Sequence, residues 1–269
     1  MRRVASLGMY DAPALQCAND ALWSAIADRL RVAGIEGVPD RLDRARPLEN
    51  IWADPGLLLA QTCGYPLATT WRDRLRYVAT PRYTAPGCEG ASHRGRIVIR
   101  RDDPAGALAM LRGRRVAVND LSSNTGMNLL RAAVTPLAIE GRFFGSVIET
   151  GSHFASARAV ASGAADVAAI DGITFAHLER AEPALAYQLR TLAWSAASPG
   201  LPLVTSAATT DEQLRLIRRA IREAVRDPAN TIALETLLID GVEVLRGRRY
   251  DVLKTIEQRS VRRGYPQLA

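Results

Sequence analysis

The chain has 269 residues, 48% of them hydrophobic and 23% charged, which suits a globular protein of one large domain or two lobes. No run of about 18 apolar residues occurs, which excludes a membrane-spanning helix. The net charge is +7, but the arginines are scattered, as at Arg72, Arg74 and Arg76 or Arg246, Arg248 and Arg249, with acids between many of them. There is no dense basic block with interleaved aromatics, so nucleic acid is not an expected partner and a mild attraction for anions remains.

Cys17, Cys63 and Cys88 show neither a metal-ligand spacing nor a CxxC pair, so neither a metal nor a cofactor is expected. An odd count leaves at least one thiol, and a Cys63–Cys88 pair stays open. After Met1-Arg2-Arg3 the apolar stretch to Met9 is too short for a secretory signal. Either the chain acts in the cytoplasm or its export signal lies outside this sequence.

In chain order, Val4 to Met9 reads as a strand and Tyr10 to Pro13 as a turn. Ala18 to Leu30 is an amphipathic helix with Leu22, Ile26 and Leu30 on one face and Gly34 as its stop. Asp54-Pro55 reads as a cap followed by a first-turn proline, which predicts a short helix from Leu57 to Gln61. Cys63-Gly64-Tyr65-Pro66 is turn-like in composition. Leu75 to Thr80 and Arg96 to Arg100 read as strands. Between them Pro81 to Gly95 is a Gly/Pro/Ser segment longer than a usual connection. Asp102-Asp103-Pro104 predicts a cap for a helix from Ala105 to Leu111.

Arg115 to Asn119 is a β-branched run, and Met127 to Val134 is apolar at helical spacing. Phe143 to Thr150 reads as a strand, Phe154 to Ser162 as a helix, Asp166 to Asp171 as a buried strand and Ile173 to Ala181 as a helix. Thr191 to Ser195 and Leu203 to Thr205 are strands around the rigid connector Pro199 to Pro202. Thr210-Asp211-Glu212-Gln213 matches a capping box and starts a helix that stops at Asp227-Pro228. Thr231 to Ile239 and Tyr250 to Arg262 are the last helices.

Strands alternating with helices predict an α/β protein with parallel sheets, whose ligands sit at the carboxyl ends of strands. Three such ends carry polar side chains. The first is the turn Ser122-Ser123-Asn124-Thr125-Gly126, which joins a strand to a helix N-terminus. It offers hydroxyls, unpaired first-turn N–H groups and the positive end of a helix dipole, a cup for a tetrahedral oxyanion. The second is Gly151-Ser152-His153, and the third is Asp171. Each also has a plainer reading: Ser123, Asn124 or Thr125 as a helix cap, His153 as a turn histidine, Asp171 as the cap of the helix at Ile173. Tyr10 and Tyr65 divide between core and ligand contact. His93 and His177 read as surface residues.

Leu111 to Asp120 leading into Ser122 to Gly126, then Gly151-Ser152-His153, Val160-Ala161-Ser162-Gly163 and Asp166 to Asp171, together resemble the substrate-binding components of phosphonate- and phosphate-type ABC importers. The resemblance covers residues 96 to 205 specifically and the rest loosely. It implies the type 2 periplasmic-binding-protein fold: two lobes, each a doubly wound sheet flanked by helices, joined by a two-segment hinge near Ile99 to Asp102 and Ala197 to Leu203. The first lobe would comprise 1–101 and 199–269, the second 102–198. It implies that the ligand sits in the cleft between lobes. Ser122, Ser123 and Thr125, with nearby N–H groups including those of Asn124 and Gly126, would hold oxyanion oxygens. His153 would donate to the anion, and Asp171 would accept from a protonated oxygen or a ligand amine. Tyr10, Tyr65 and Tyr83 would close the first-lobe side. Two departures are visible: the family's S-T-S-G is Ser-Ser-Asn-Thr-Gly here, and no export signal is present.

The ligand so implied is phosphate, phosphite or a small phosphonate, the partner an ABC permease, the compartment the periplasm, and the protein no enzyme. Two alternatives stay open. One is an enzyme of the same fold, since Ser122 or Ser123 with His153 and Asp171 superficially supplies a nucleophile, a base and an acid. No G-x-S-x-G, HExxH, P-loop or GxGxxG motif supports it. The other is a ligand-sensing module without a transporter.

Overall fold

A computed structural model of the chain describes residues 3–269; the Met1-Arg2 start lies outside them. The chain divides into two units, one of residues 1–84, 89–91 and 199–249, the other of 85–88, 92–198 and 250–269. In order the elements are β1 (Val4–Ser6), α1 (Gln16–Val32), α2 (Leu48–Trp52), β2 (Leu57–Gln61), α3 (Gly64–Ala68), β3 (Leu75–Tyr83), β4 (Ser92–His93), β5 (Gly95–Arg100) and β6 (Arg115–Val118). A π-helical turn, Asn124–Leu129, then runs into α4 (Leu130–Val134). There follow β7 (Ser146–Glu149), α5 (His153–Ala161), β8 (Val167–Asp171), α6 (Gly172–Ala181), α7 (Pro183–Tyr187), β9 (Leu189–Trp194) and β10 (Ser198–Pro199). The last are β11 (Leu203–Ser206), α8 (Asp211–Arg226), α9 (Thr231–Leu237), β12 (Ile239–Glu243) and α10 (Asp251–Arg262).

The first unit is built on a sheet of order β1-β2-β11-β3-β12. Leu22, Trp23, Ile26 and Leu30 of α1 meet Leu214, Ile217 and Ile221 of α8 and Leu234 and Leu237 of α9 over Leu58, Val78 and Leu203 of the sheet. The amphipathic spacing of α1 and α8 places those faces, and the Thr210 capping box forms as expected. Leu57–Gln61 is a strand, not a helix. It lies between β1 and β11 with all five residues buried, and a strand covered on both faces reads as a continuous apolar run. Asp54 closes a tight turn instead, accepting from Gly56 N. The helix expected from Thr231 to Ile239 ends at Leu237. Leu238 takes a left-handed conformation, and the chain turns out into β12, an edge strand that pairs β3.

The second unit carries a sheet of order β7-β6-β8-β5-β9. Val98, Ala117, Ala168 and Ile170 pack under Ala157 and Val160 of α5 and Phe175 and Leu178 of α6. The boundaries differ from those read in the sequence, which put 92–101 and 250–269 with the first lobe. β5 is an inner strand of the second sheet, and α10 is hydrogen-bonded into the second unit through Leu253 and Ser260. Neither sheet is purely parallel: β5 runs against β8 and β9, and β11 against β2 and β3. The helix expected from Ala105 is only a 3-10 turn, Leu108–Leu111. Among the described residues Cys17, Cys63 and Cys88 are thiols, and no helix is long and apolar enough to cross a membrane.

Candidate functional site

Strand direction brings the site together. β7, β6 and β8 are mutually parallel, so their carboxyl ends open on one edge of the second sheet. β5 runs the other way with Gly95 opposite Asp171. The chain entering β5, His93 to Gly95, therefore arrives at the same edge.

The turn after β6 begins with Ser122, which is exposed and donates its hydroxyl to Asp120 Oδ1 at 2.6 Å. Ser123 caps the helix, its Oγ accepting from Gly126 N at 3.0 Å. A hydroxyl that accepts an N–H still has its own proton to donate. Asn128 N donates to Ser123 O, five residues back, so the first turn is wide, and the N–H of Thr125 has no acceptor within the helix. The Thr125 hydroxyl makes no hydrogen bond among the described residues. Asn124 turns its side chain inward: Nδ2 donates to Ser198 Oγ at 3.0 Å, and Oδ1 accepts from Asn128 Nδ2 at 3.4 Å. Gly126 is needed here, because a Cβ would sit 1.8 Å from Asn119 Oδ1.

His153 is the first residue of α5, whose cap is Ser152 accepting from Ala155 N. It is partly buried, and its Nδ1 has no partner. Burial holds the ring below its ordinary pKa; the Asp171 charge and the Ala169 carbonyl oppose this, and His93 adds to it. Asp171 ends β8 and caps α6, Oδ1 accepting from Ile173 N and Thr174 N at 3.0 Å each. Its Oδ2 lies 2.9 Å from His93 Nδ1. That is an ion-pair distance, although the angle departs from a straight hydrogen bond. Burial would raise the Asp171 carboxyl, but His93, then His153 and the α6 N–H groups, hold it at about 2.

His93 and His177 are not surface residues; they are 1% and 4% exposed. His93 was hidden in a Gly/Pro/Ser segment, and only the antiparallel entry of β5 delivers it to the strand-end edge. Two residues before a strand was the available signal. His177 lies on the buried face of α6, where burial and then Arg180 lower it to about 4.

Tyr10, Tyr65 and Tyr83 are all buried in the first unit. Tyr10 and Tyr83 meet edge to face with centroids 5.5 Å apart, and the Tyr83 hydroxyl accepts from Gln61 Nε2 at 3.0 Å. The Tyr65 carbonyl accepts from Thr69 at 2.8 Å. Among the described residues no group of three or more His, Cys, Asp or Glu is placed to hold a metal.

Residues 59–250 match the family described as ABC transporter, phosphonate, periplasmic substrate-binding protein. The chain belongs to this family. No curated protein matches it. Among solved structures it is similar to XAC2383 from Xanthomonas citri bound to ATP, at 18% identity and a TM-score of 0.74 over 97% of this chain and 98% of that one. It is similar to a binding protein component of an ABC phosphonate transporter (PA3383) from Pseudomonas aeruginosa, at 17% identity and a TM-score of 0.76, over 97% and 87%. PhnD1 from Prochlorococcus marinus in complex with methylphosphonate is 11% identical, with a TM-score of 0.76 over 96% and 97%. At these identities the phosphonate-family member shares the two-lobed type 2 periplasmic-binding-protein fold with them.

Proposed function

We propose that this family member binds a small phosphoryl oxyanion, phosphate, phosphite or a small phosphonate, and delivers it to an ABC permease. The observation that carries this reading is the convergence of three parallel strand ends, each feeding a helix N-terminus. The Ser123 and Thr125 hydroxyls, the Thr125 N–H and His153 are the donors at that edge. Preorganised donors at helix N-termini suit a tetrahedral anion. Ser122, the Asn124 amide and the Gly126 N–H, already bonded within the protein, serve the turn, and Asn124 contributes backbone. The methylphosphonate complex of PhnD1 and the ATP complex of XAC2383 both concern phosphoryl ligands and support the same reading.

An enzymatic role finds less support. A nucleophile–base–acid relay needs the acid on the base, and here Asp171 faces His93 while Ser123 Oγ caps a helix. A melt in phosphate, methylphosphonate and sulfate tests the reading. Binding to the folded state at a hundredfold excess over Kd adds about 2.7 kcal/mol. The phosphoryl ligands should raise the melting temperature more than sulfate does. A preference for sulfate, or for uncharged ligands alone, would overturn it.

A further inference from the structure

One face of the helix after β6 carries three buried polar side chains. Asn124, Asn128 and Arg131 are 1%, 0% and 3% exposed, and spacings of four and then three residues stack them on one side. They form a hydrogen-bonded relay that runs in one direction. Arg131 Nη2 donates to Asn128 Oδ1 at 2.8 Å. Asn128 Nδ2 donates to Asn124 Oδ1 at 3.4 Å and to the Leu253 carbonyl at 3.1 Å. Asn124 Nδ2 donates to Ser198 Oγ at 3.0 Å. A guanidinium has donors only, so it must face an oxygen. That fixes which way the Asn128 amide lies, and Asn128 in turn fixes Asn124. Arg131 is anchored behind: Nη1 donates to the Pro266 carbonyl at 2.7 Å, and Glu257 of α10 stands 3.9 Å from Nη2. A guanidinium buried against one loose carboxylate, with Nε unpartnered, costs stability that an apolar side chain of similar length would not. Packing alone does not account for it.

We propose that Arg131 is a positioning residue for the anion turn, acting through Asn128 and Asn124 to hold the residues around Thr125 in their wide first turn. This rests on the oxyanion reading of that turn. Asn128 grips the turn twice. Its N–H donates to the Ser123 carbonyl at 3.0 Å, the five-residue bond that widens the helix start, and its side chain holds Asn124. Were the Asn128 amide turned over, its oxygen would face Asn124 Oδ1 and the Leu253 carbonyl, and both contacts would become repulsive. Only the donors of Arg131 select against that orientation from the other side. The shape of the turn therefore depends on α10 and on the segment at Pro266, which bond to it from 125 and 135 residues further along the chain.

A double-mutant cycle in ligand affinity separates positioning from mere support. Arg131→Met keeps a long side chain and removes its donors; Asn124→Ala removes the far end of the relay. Titration calorimetry with methylphosphonate, well below each variant's melting midpoint, should show each variant weaker than wild type by roughly fivefold or more. The double variant should bind no more weakly than the weaker single one, because both changes cut the same relay. Losses that multiply overturn the proposal, as does an Arg131→Met variant that binds like wild type, whatever its melting temperature. Should the variants not fold, the wild type decides by linkage: a relay that favours binding must itself be favoured by bound ligand. On saturation with methylphosphonate, side-chain amide exchange at Asn128 should slow more than at Asn230, whose amide holds the Ala224 carbonyl in the first unit. Equal slowing overturns the proposal alone. Failure of wild type to bind methylphosphonate or inorganic phosphate overturns the oxyanion reading and this inference with it.

Discussion

Gly95 stands so close to Thr125 that a Cβ built on it would come within 2.2 Å of Thr125 Cγ2. The first residue of β5 thus sets where the Thr125 side chain lies. Gly95→Ala should push Thr125 out of position, at an overpacking cost of about 1–3 kcal/mol, and weaken methylphosphonate by roughly tenfold. Calorimetry beside a melt checks this; unchanged affinity would mean that Thr125 does not hold the ligand.

Acid should weaken the fold in two windows. His177 falls from 6.5 to about 4 on folding, so the unfolded state binds more protons there. Its contribution, about 3 kcal/mol, is full above pH 6.5 and lost as pH falls through 4. Asp171 falls from 3.8 to about 2, and its contribution, about 2 kcal/mol, is full above pH 4 and lost as pH falls through 2. Urea unfolding from pH 7 to 2 should show a flatter first window in His177→Gln and a flatter second one in Asp171→Asn. Slopes identical to wild type would contradict the assignments.

Asn128 is fully buried; it donates to the Leu253 carbonyl at 3.1 Å and accepts from Arg131 at 2.8 Å, besides holding Asn124. Asn128→Leu strands those partners at about 1–3 kcal/mol for each unsatisfied group. It should lower the urea midpoint and speed hydrogen exchange in α10. An intact midpoint would show that α10 is held otherwise.

The sequence carried the second unit well and the first less so. The helix after β6, α5 and α6 follow from helical spacing, and β6 and β8 from short apolar runs with turn residues at their ends. β2 was misread because Asp54-Pro55 imitates a helix start while Leu57–Gln61 is buried on both faces, where no period survives. Strand direction is not written in any single segment. With β5 assumed parallel, His93 falls far from Asp171; with β5 antiparallel, Gly95 pairs Asp171 and His93 joins the edge. Asn124 was legible as polar but not as inward-facing, because Ser198 is 74 residues away.

The central claim is that the turn at Ser123 to Gly126 holds a phosphoryl anion, and one titration tests it most directly. Each hydrogen bond to a charged group is worth roughly 1.5–3 kcal/mol, and the two hydroxyls are close enough to be non-additive. Calorimetry of the Ser123→Ala, Thr125→Ala double variant with methylphosphonate should show affinity reduced by at least about tenfold, with the melting temperature lowered only by the lost Ser123 cap, about 1 kcal/mol. Affinity equal to wild type, in a variant that melts as expected, would contradict the claim and return the turn to a simple helix cap.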